Sequence, residues 1–255
     1  IAQSFTPQGI QGVEDFAEKR GYGVLLMTYR GDAERQRQIL EFMFDRRVDG
    51  IIVGPGFETR GSAGCLLREK KMPVMYMCHR PRDPLPGSHY VCVDGVQIGY
   101  LAGRHLLRTG YQHIACMVWS DWVLKGVEQA ISEHMGKMPF EYWPWESSPD
   151  QAKHIFERWL KADPRPSAIL VPSDECAGQI MNRALRRGLR IPADLAIMGI
   201  DDIPVAREAI IPLTTVNQPK YEQGWSAAEV LFDLIDGKPG KDIILQPRLV
   251  QRQTT

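Results

Sequence analysis

The chain has 255 residues, 44% of them hydrophobic and 24% charged, an ordinary globular composition that is too long for one small core. At roughly 100–200 residues per domain it holds one large domain or two smaller lobes. Thirty-one Lys and Arg balance 31 Asp and Glu, so the formal net charge is zero, whereas a free-standing nucleic-acid-binding domain carries the basic excess that neutralising phosphates requires.

Hydrophobic period read against breakers gives short β-branched runs alternating with longer amphipathic segments. Residues 9–20 read as a helix with Ile10, Val13, Phe16 and Ala17 on one stripe, ended by Gly21. A strand over 24–28, a helix over 35–46 and a strand over 50–53 follow, then a helix over 64–71 and strands over 74–78 and 90–93. The helix over 96–109 carries Ile98, Leu101, Ala102, His105 and Leu106 on one face and closes at Gly110. The rhythm then restarts, with strands over 114–118, 140–143, 168–171 and 196–200 and helices over 124–135, 150–160, 177–187 and 223–235. Two such runs predict an α/β protein of two doubly wound lobes, each built on a parallel sheet covered on both faces.

Ligands of open parallel sheets sit beyond the carboxyl ends of the strands. The informative loops therefore follow strands: Ser4-Phe5-Thr6, Gly54-Pro55-Gly56, Asp94, Trp119 to Trp122, Trp145, Ser173-Asp174 and Asp201-Asp202. Phe5 and Trp145 offer faces on which a sugar or purine ring can stack. In Tyr142-Trp143-Pro144-Trp145 either Trp143 or Trp145 can be the one that points inward. Asp94 reads equally as a ligand contact and as the cap of the next helix. Asp201 can accept two hydroxyl protons or merely cap a turn. The acids at 201 and 202 do not suggest a glycosidase, because catalytic carboxyls face one bond and sequence neighbours after a strand diverge.

Other chemistries find little support. A lone Gly54-Pro-Gly56 lacks the third glycine and the downstream acid of a dinucleotide loop. The six histidines show no metal-ligand spacing, and neither a nucleophile elbow nor a phosphate loop is present. No catalytic residue, metal or cofactor is expected. The five cysteines are scattered and never paired as C-x-x-C, which favours reduced thiols and a cytoplasmic protein. The longest apolar runs fall far short of the roughly 20 residues of a membrane helix, and no basic-then-apolar leader opens the sequence.

The stretches GLRIPADLAIMGIDDI at 188–203 and PLTTVNQP at 212–219 resemble the regulatory domain of the lactose-repressor (LacI/GalR) family of bacterial transcription regulators. RVDGIIV at 47–53, Asp94 with Gly99, HLLRTG at 105–110, RPSAIL at 165–170 and LVQRQT at 249–254 match in the family's order. The resemblance implies a periplasmic-binding-protein-like fold of type I whose lobes are joined by three crossing strands. It puts residues 1–107 with 218–244 in one lobe and 108–217 with 245–255 in the other, with the effector between them. It places Asp94 and Asp201 in the pocket, gives Gln218 either a ligand contact or a hinge tie, and puts Ser173 where Asn is frequent. Gly54 leaves room for the ligand.

Two departures qualify it. The helix-turn-helix headpiece is absent from this chain, and only Ile1-Ala2-Gln3 stands where the family's first strand precedes Phe5; an effector domain separated from its headpiece accounts for both and for the neutral charge. The effector-binding arginine usual three residues before the glycine matched by Gly126 is Val123, in a short loop where one tryptophan can replace its contact. A site with Asp94 and Asp201 but no arginine disfavours anions. The resemblance thus implies an allosteric sensor of a neutral sugar that controls operator DNA through a headpiece and acts as a homodimer, with Phe42, Met43 and Phe44 as candidates for the dimer face. The alternatives are a periplasmic sugar-binding protein for transport and the same sensor behind a GntR-type winged-helix headpiece.

Overall fold

A computed structural model describes residues 6–28, 32–57, 61–134, 140–144 and 148–255. Phe5 and Trp145 lie outside the described residues. The chain begins with α1 (Thr6–Lys19), α2 (Ala33–Asp45), β1 (Ile51–Val53), α3 (Ser62–Glu69), β2 (Val74–Met77) and β3 (His89–Val93). It continues through α4 (Gly95–Arg108), β4 (Ile114–Cys116), α5 (Asp121–Glu133), β5 (Phe140–Tyr142), α6 (Gln151–Lys161), β6 (Ala168–Leu170) and α7 (Asp174–Arg186). It ends with β7 (Ala196–Asp201), α8 (Pro204–Glu208), β8 (Thr214–Asn217), α9 (Lys220–Ile235), β9 (Ile243–Leu245) and β10 (Arg248–Val250).

The chain folds into two compact units, one of residues 1–93 and 219–245 and a second of 94–218 and 246–255, and passes from one to the other three times. The first unit holds a parallel sheet of order β1-β2-β3-β9. Its central strand β2 is buried along its whole length, and the period of two sends its residues to opposite layers. Val74 and Tyr76 pack with Leu40, Leu67 and Leu85, on the side of α2 and α3. Met75 and Met77 pack with Val91, Ala227, Val230 and Leu231, beneath α9. Met43 and Phe44 pack against the first of these clusters, while the guanidinium of Arg46 lies 3.4 Å from the ring centroid of Phe42.

The second unit holds a sheet of order β10-β8-β7-β6-β4-β5, parallel except that β10 runs antiparallel to β8. Its core gathers the aromatic side of α6, where Phe156 and Trp159 stack at 5.9 Å, with Trp143, Ile180 and Met181. Helix starts follow their caps: Ser120 accepts from Trp122 N at 3.2 Å and Ser173 from Cys176 N at 3.2 Å. The acids Asp174 and Glu175 at the start of α7 and Arg183 and Arg186 at its end suit the helix dipole.

Three expectations change. The helix α4, assigned from sequence to the amino-terminal lobe, belongs to the second unit, because it is packed closely on α5. Glycines make that approach feasible: a Cβ on Gly99 would strike the carbonyl oxygen of Val123, and one on Gly126 the carbonyl oxygen of Val96. The boundary therefore falls after Val93 rather than after residue 107. Residues 24–28 form no strand; no described strand pairs with this apolar run, and Val24, Leu25 and Leu26 stay exposed. The second sheet is mixed rather than wholly parallel, through β10.

Candidate functional site

Strands β8, β7, β6 and β4 are parallel neighbours, so the loops after them emerge at one end of the second unit's sheet. Asp201 closes β7 at that end, and the loops carry Gln218, Ser173 and Trp119. Helices α4 and α5 bring two more residues together: Gly95, which follows Asp94, lies so close to Trp122 that an added Cβ would meet the Trp122 Cβ at 2.9 Å. Six of the residues singled out from sequence thus belong to the second unit, four at or after the ends of adjacent strands and two at neighbouring helix starts. Gly54 follows β1 in the first unit, where a Cβ would meet nothing within 4 Å.

Several of these side chains have local work. Asp94 caps α4, its Oδ1 accepting from Gln97 N at 3.0 Å. Ser173 caps α7. The side chains of Trp119 and Trp122 are 42% and 53% exposed, unusual for rings that cost free energy to leave in water. The Lys125 ammonium lies 4.7 Å from the Trp122 ring centroid and occupies one of its faces. Val123, in the first turn of α5, is buried and apolar. Trp143 is buried too and donates from Nε1 to Glu141 at 2.9 Å.

Asp201 ends β7 with φ 128° and Asp202 follows with φ 55°, two consecutive residues in backbone conformations that L side chains avoid. Asp201 is buried and accepts from Gln218 Nε2 at 2.8 Å. Asp202 accepts from Arg252 Nη2 at 2.6 Å and from Asn217 Nδ2 at 3.0 Å. Asp174, fully buried, accepts from Thr215 Oγ1 at 2.6 Å and from Ile203 N at 3.0 Å. Sequence reading missed Asp174, Asn217 and Arg252 as partners of this turn, because they stand far from it along the chain. In the first unit His79 follows β2 at the same end of the sheet as Gly54, its Nδ1 donating to Met77 O at 3.1 Å. Burial pushes its pKa down, against the opposing pull of that hydrogen bond.

A recess of about 480 Å³ lined by Glu141, Trp143, His154, Arg158 and Lys161 lies between β5 and α6 and contains none of the predicted site residues. Among the described residues no group of three or more His, Cys, Asp or Glu is placed to hold a metal ion, and no helix is long and apolar enough to cross a membrane.

A periplasmic binding protein-like domain family matches residues 104–255. The HTH-type transcriptional repressor PurR of Vibrio cholerae serotype O1 (strain M66-2) is 30% identical over 98% of this chain and 76% of its own length. The arabinose metabolism transcriptional repressor of Geobacillus stearothermophilus is 28% identical over all of this chain and 74% of its own. Among solved structures, a LacI family transcriptional regulator from Enterococcus faecium with bound ribose superposes with a TM-score of 0.87 at 24% identity, covering 100% of this chain and 95% of that one. That likeness establishes the fold. These curated relatives are transcriptional regulators rather than enzymes.

Proposed function

The chain belongs to the LacI family of transcriptional regulators, as one of its periplasmic-binding-protein-like effector domains, and from that premise we propose that it senses a neutral sugar and passes the signal to operator DNA. The observation that carries the sugar is the chemistry gathered at the strand ends: Asp94 and Asp201 as hydroxyl acceptors, Trp119 and Trp122 as exposed ring faces, and Val123 where an arginine would bind an anion. Carboxylates that accept hydroxyl protons and aromatic faces that meet sugar C–H groups are the two contacts a pyranose or furanose needs. Gly54, Ser173 and Gln218 complete the proposed contact set, with Phe5 and Trp145 as further stacking rings. The relative named for arabinose metabolism supports the same ligand class.

The sensor acts by differential binding. An effector that binds one conformation better shifts the equilibrium toward it, and a coupling of about 1–3 kcal/mol changes DNA affinity roughly 5–150-fold. The protein works in the cytoplasm as a homodimer whose two DNA-binding headpieces meet two operator half-sites, and it catalyses no reaction. The repressors among the relatives favour this over a transport protein.

A thermal-shift screen of neutral sugars, acidic sugars and nucleobases, followed by calorimetry, tests the reading. A neutral sugar at 100 times its Kd stabilises the native state by about 2.7 kcal/mol. Tighter binding of a uronate or sugar phosphate than of any neutral sugar overturns the ligand class. Unchanged operator affinity of the headpiece-bearing protein at saturating sugar overturns the regulatory role.

A further inference from the structure

The proposed effector contact Asp201 stands in a turn that local sequence does not favour. Neither Asp201 nor Asp202 is glycine, yet both have positive φ, at 128° and 55°, and such conformations persist only where the surroundings over-determine them. Three sets of bonds supply that determination, all within the second unit. Arg252 Nη2 donates to Asp202 Oδ1 at 2.6 Å, with only 14% and 18% of the two side chains exposed. The same guanidinium donates from Nη1 to Leu213 O at 2.8 Å, which fixes its plane against the segment leading into β8. Asn217 Nδ2 fills the other Asp202 oxygen at 3.0 Å, and Asp174 holds Ile203 N on the far side of the turn.

We infer that Arg252 is a positioning residue for effector binding: through its ion pair with Asp202 it locks the strained turn that aims the Asp201 carboxylate, without itself touching the effector. This rests on the reading of Asp201 as an effector contact. The chemistry favours the lock over a stability role alone. A mostly buried ion pair repays little of its own desolvation but specifies one geometry, and the carboxylate at stake is already oriented, Gln218 Nε2 standing 2.8 Å from Asp201 Oδ1. Arg suits the task because one planar fork serves two acceptors in fixed directions, which a lysine cannot do. Gln218 is also the residue after which the chain leaves the second unit, so the turn is anchored beside a point of passage.

The test uses calorimetry of wild type, Arg252→Met, Arg252→Lys, Asp202→Gly and Asp202→Gly/Arg252→Met with D-ribose, L-arabinose, D-glucose and cellobiose. Asp202→Gly is the variant that keeps the fold, since glycine accepts a φ of 55° without strain. The expected result is a loss of affinity of roughly ten-fold in both Arg252→Met and Asp202→Gly, no further loss in the double variant, and partial recovery in Arg252→Lys. The accompanying NMR readout is the Gln218 side-chain amide, slowly exchanging in wild type and fast in both single variants. Affinities within two-fold of wild type, or an unchanged Gln218 amide, overturn the inference. Should wild type bind none of the four sugars, the neutral-sugar reading fails by itself, and the Gln218 amide alone still decides the lock.

Discussion

Asp174 and Asp201 are both buried carboxylates, and their partners give them different work. Asp174 accepts from the Thr215 hydroxyl and the Ile203 amide, tying α7, β8 and the turn after β7 into one arrangement. Removing it strands two buried donors, each costing about 1–3 kcal/mol when left without a partner. Asp174→Ala is therefore expected to lower the unfolding free energy by about 2–4 kcal/mol, read as a fall in the urea midpoint at constant slope. Asp174→Asn, which retains one acceptor oxygen, loses less. Equal midpoints for wild type and Asp174→Ala would mean that the bonds add nothing to the fold. Asp201, by contrast, is the proposed effector contact, and on that proposal Asp201→Asn is expected to weaken sugar binding far more than it changes that midpoint.

At the scale of elements, helix packing turns on whether a glycine faces a neighbour's backbone. Gly99 of α4 lies against the Val123 carbonyl of α5, so Gly99→Ala pushes two packed helices apart, an overpacking cost of roughly 1–3 kcal/mol. Gly178, inside α7, has its nearest neighbour, Val205 Cγ2, at 3.8 Å from an added Cβ. The same change there is expected to stabilise by about 0.5–1 kcal/mol, because alanine gives up less backbone entropy in a helix. Opposite signs of the two shifts in urea midpoint check the argument; a like sign refutes it. Sequence alone could not separate these glycines, although it did mark both helices. It also marked β2 and β7, whose apolar runs are long enough to stand out. It passed over β8, because the run is only four residues long and is bracketed by Pro212 and Pro219, which read as breakers. It assigned 24–28 as a strand because alternation reports propensity and not whether a partner strand lies alongside. At the site, Asp94 was legible as cap or ligand, and its cap bond now accounts for one role; Ser173 was legible only as a site residue, and its capping of α7 came from the structure. Arg252 was not legible, since nothing in the sequence pairs position 252 with 202.

Across the whole molecule, buried titratable groups set how stability depends on pH. His79, in the first unit, and His105, in the second, both have pKa values pushed below 6.5 by burial. His105 is held in a hydroxyl chain: its Nε2 lies 2.7 Å from Thr255 Oγ1, which donates to Thr214 Oγ1 at 2.8 Å. A lowered histidine pKa means that the unfolded chain takes up the proton first as pH falls below 6.5, so stability present above that pH is lost on acidification. Carboxylates act at lower pH in the same direction: Asp194, whose pKa the Arg190 side chain and amide hold down to about 2, keeps its contribution above about 3.8 and loses it as pH falls through 2. On the alkaline side burial pushes the Cys116 thiol upward and the Cys176 thiol up to about 12. A raised thiol pKa makes the unfolded chain lose its proton first above 9, so stability falls again there. The expected profile of urea midpoint is a plateau between about pH 6.5 and 9 with losses on both sides. Replacing His105 by Gln is expected to flatten the first acid step relative to wild type. An acid limb that begins only near pH 4 in wild type would exclude the histidines as its origin, and alkylation of Cys116 in the native state as fast as of the exposed Cys65 would exclude the alkaline argument.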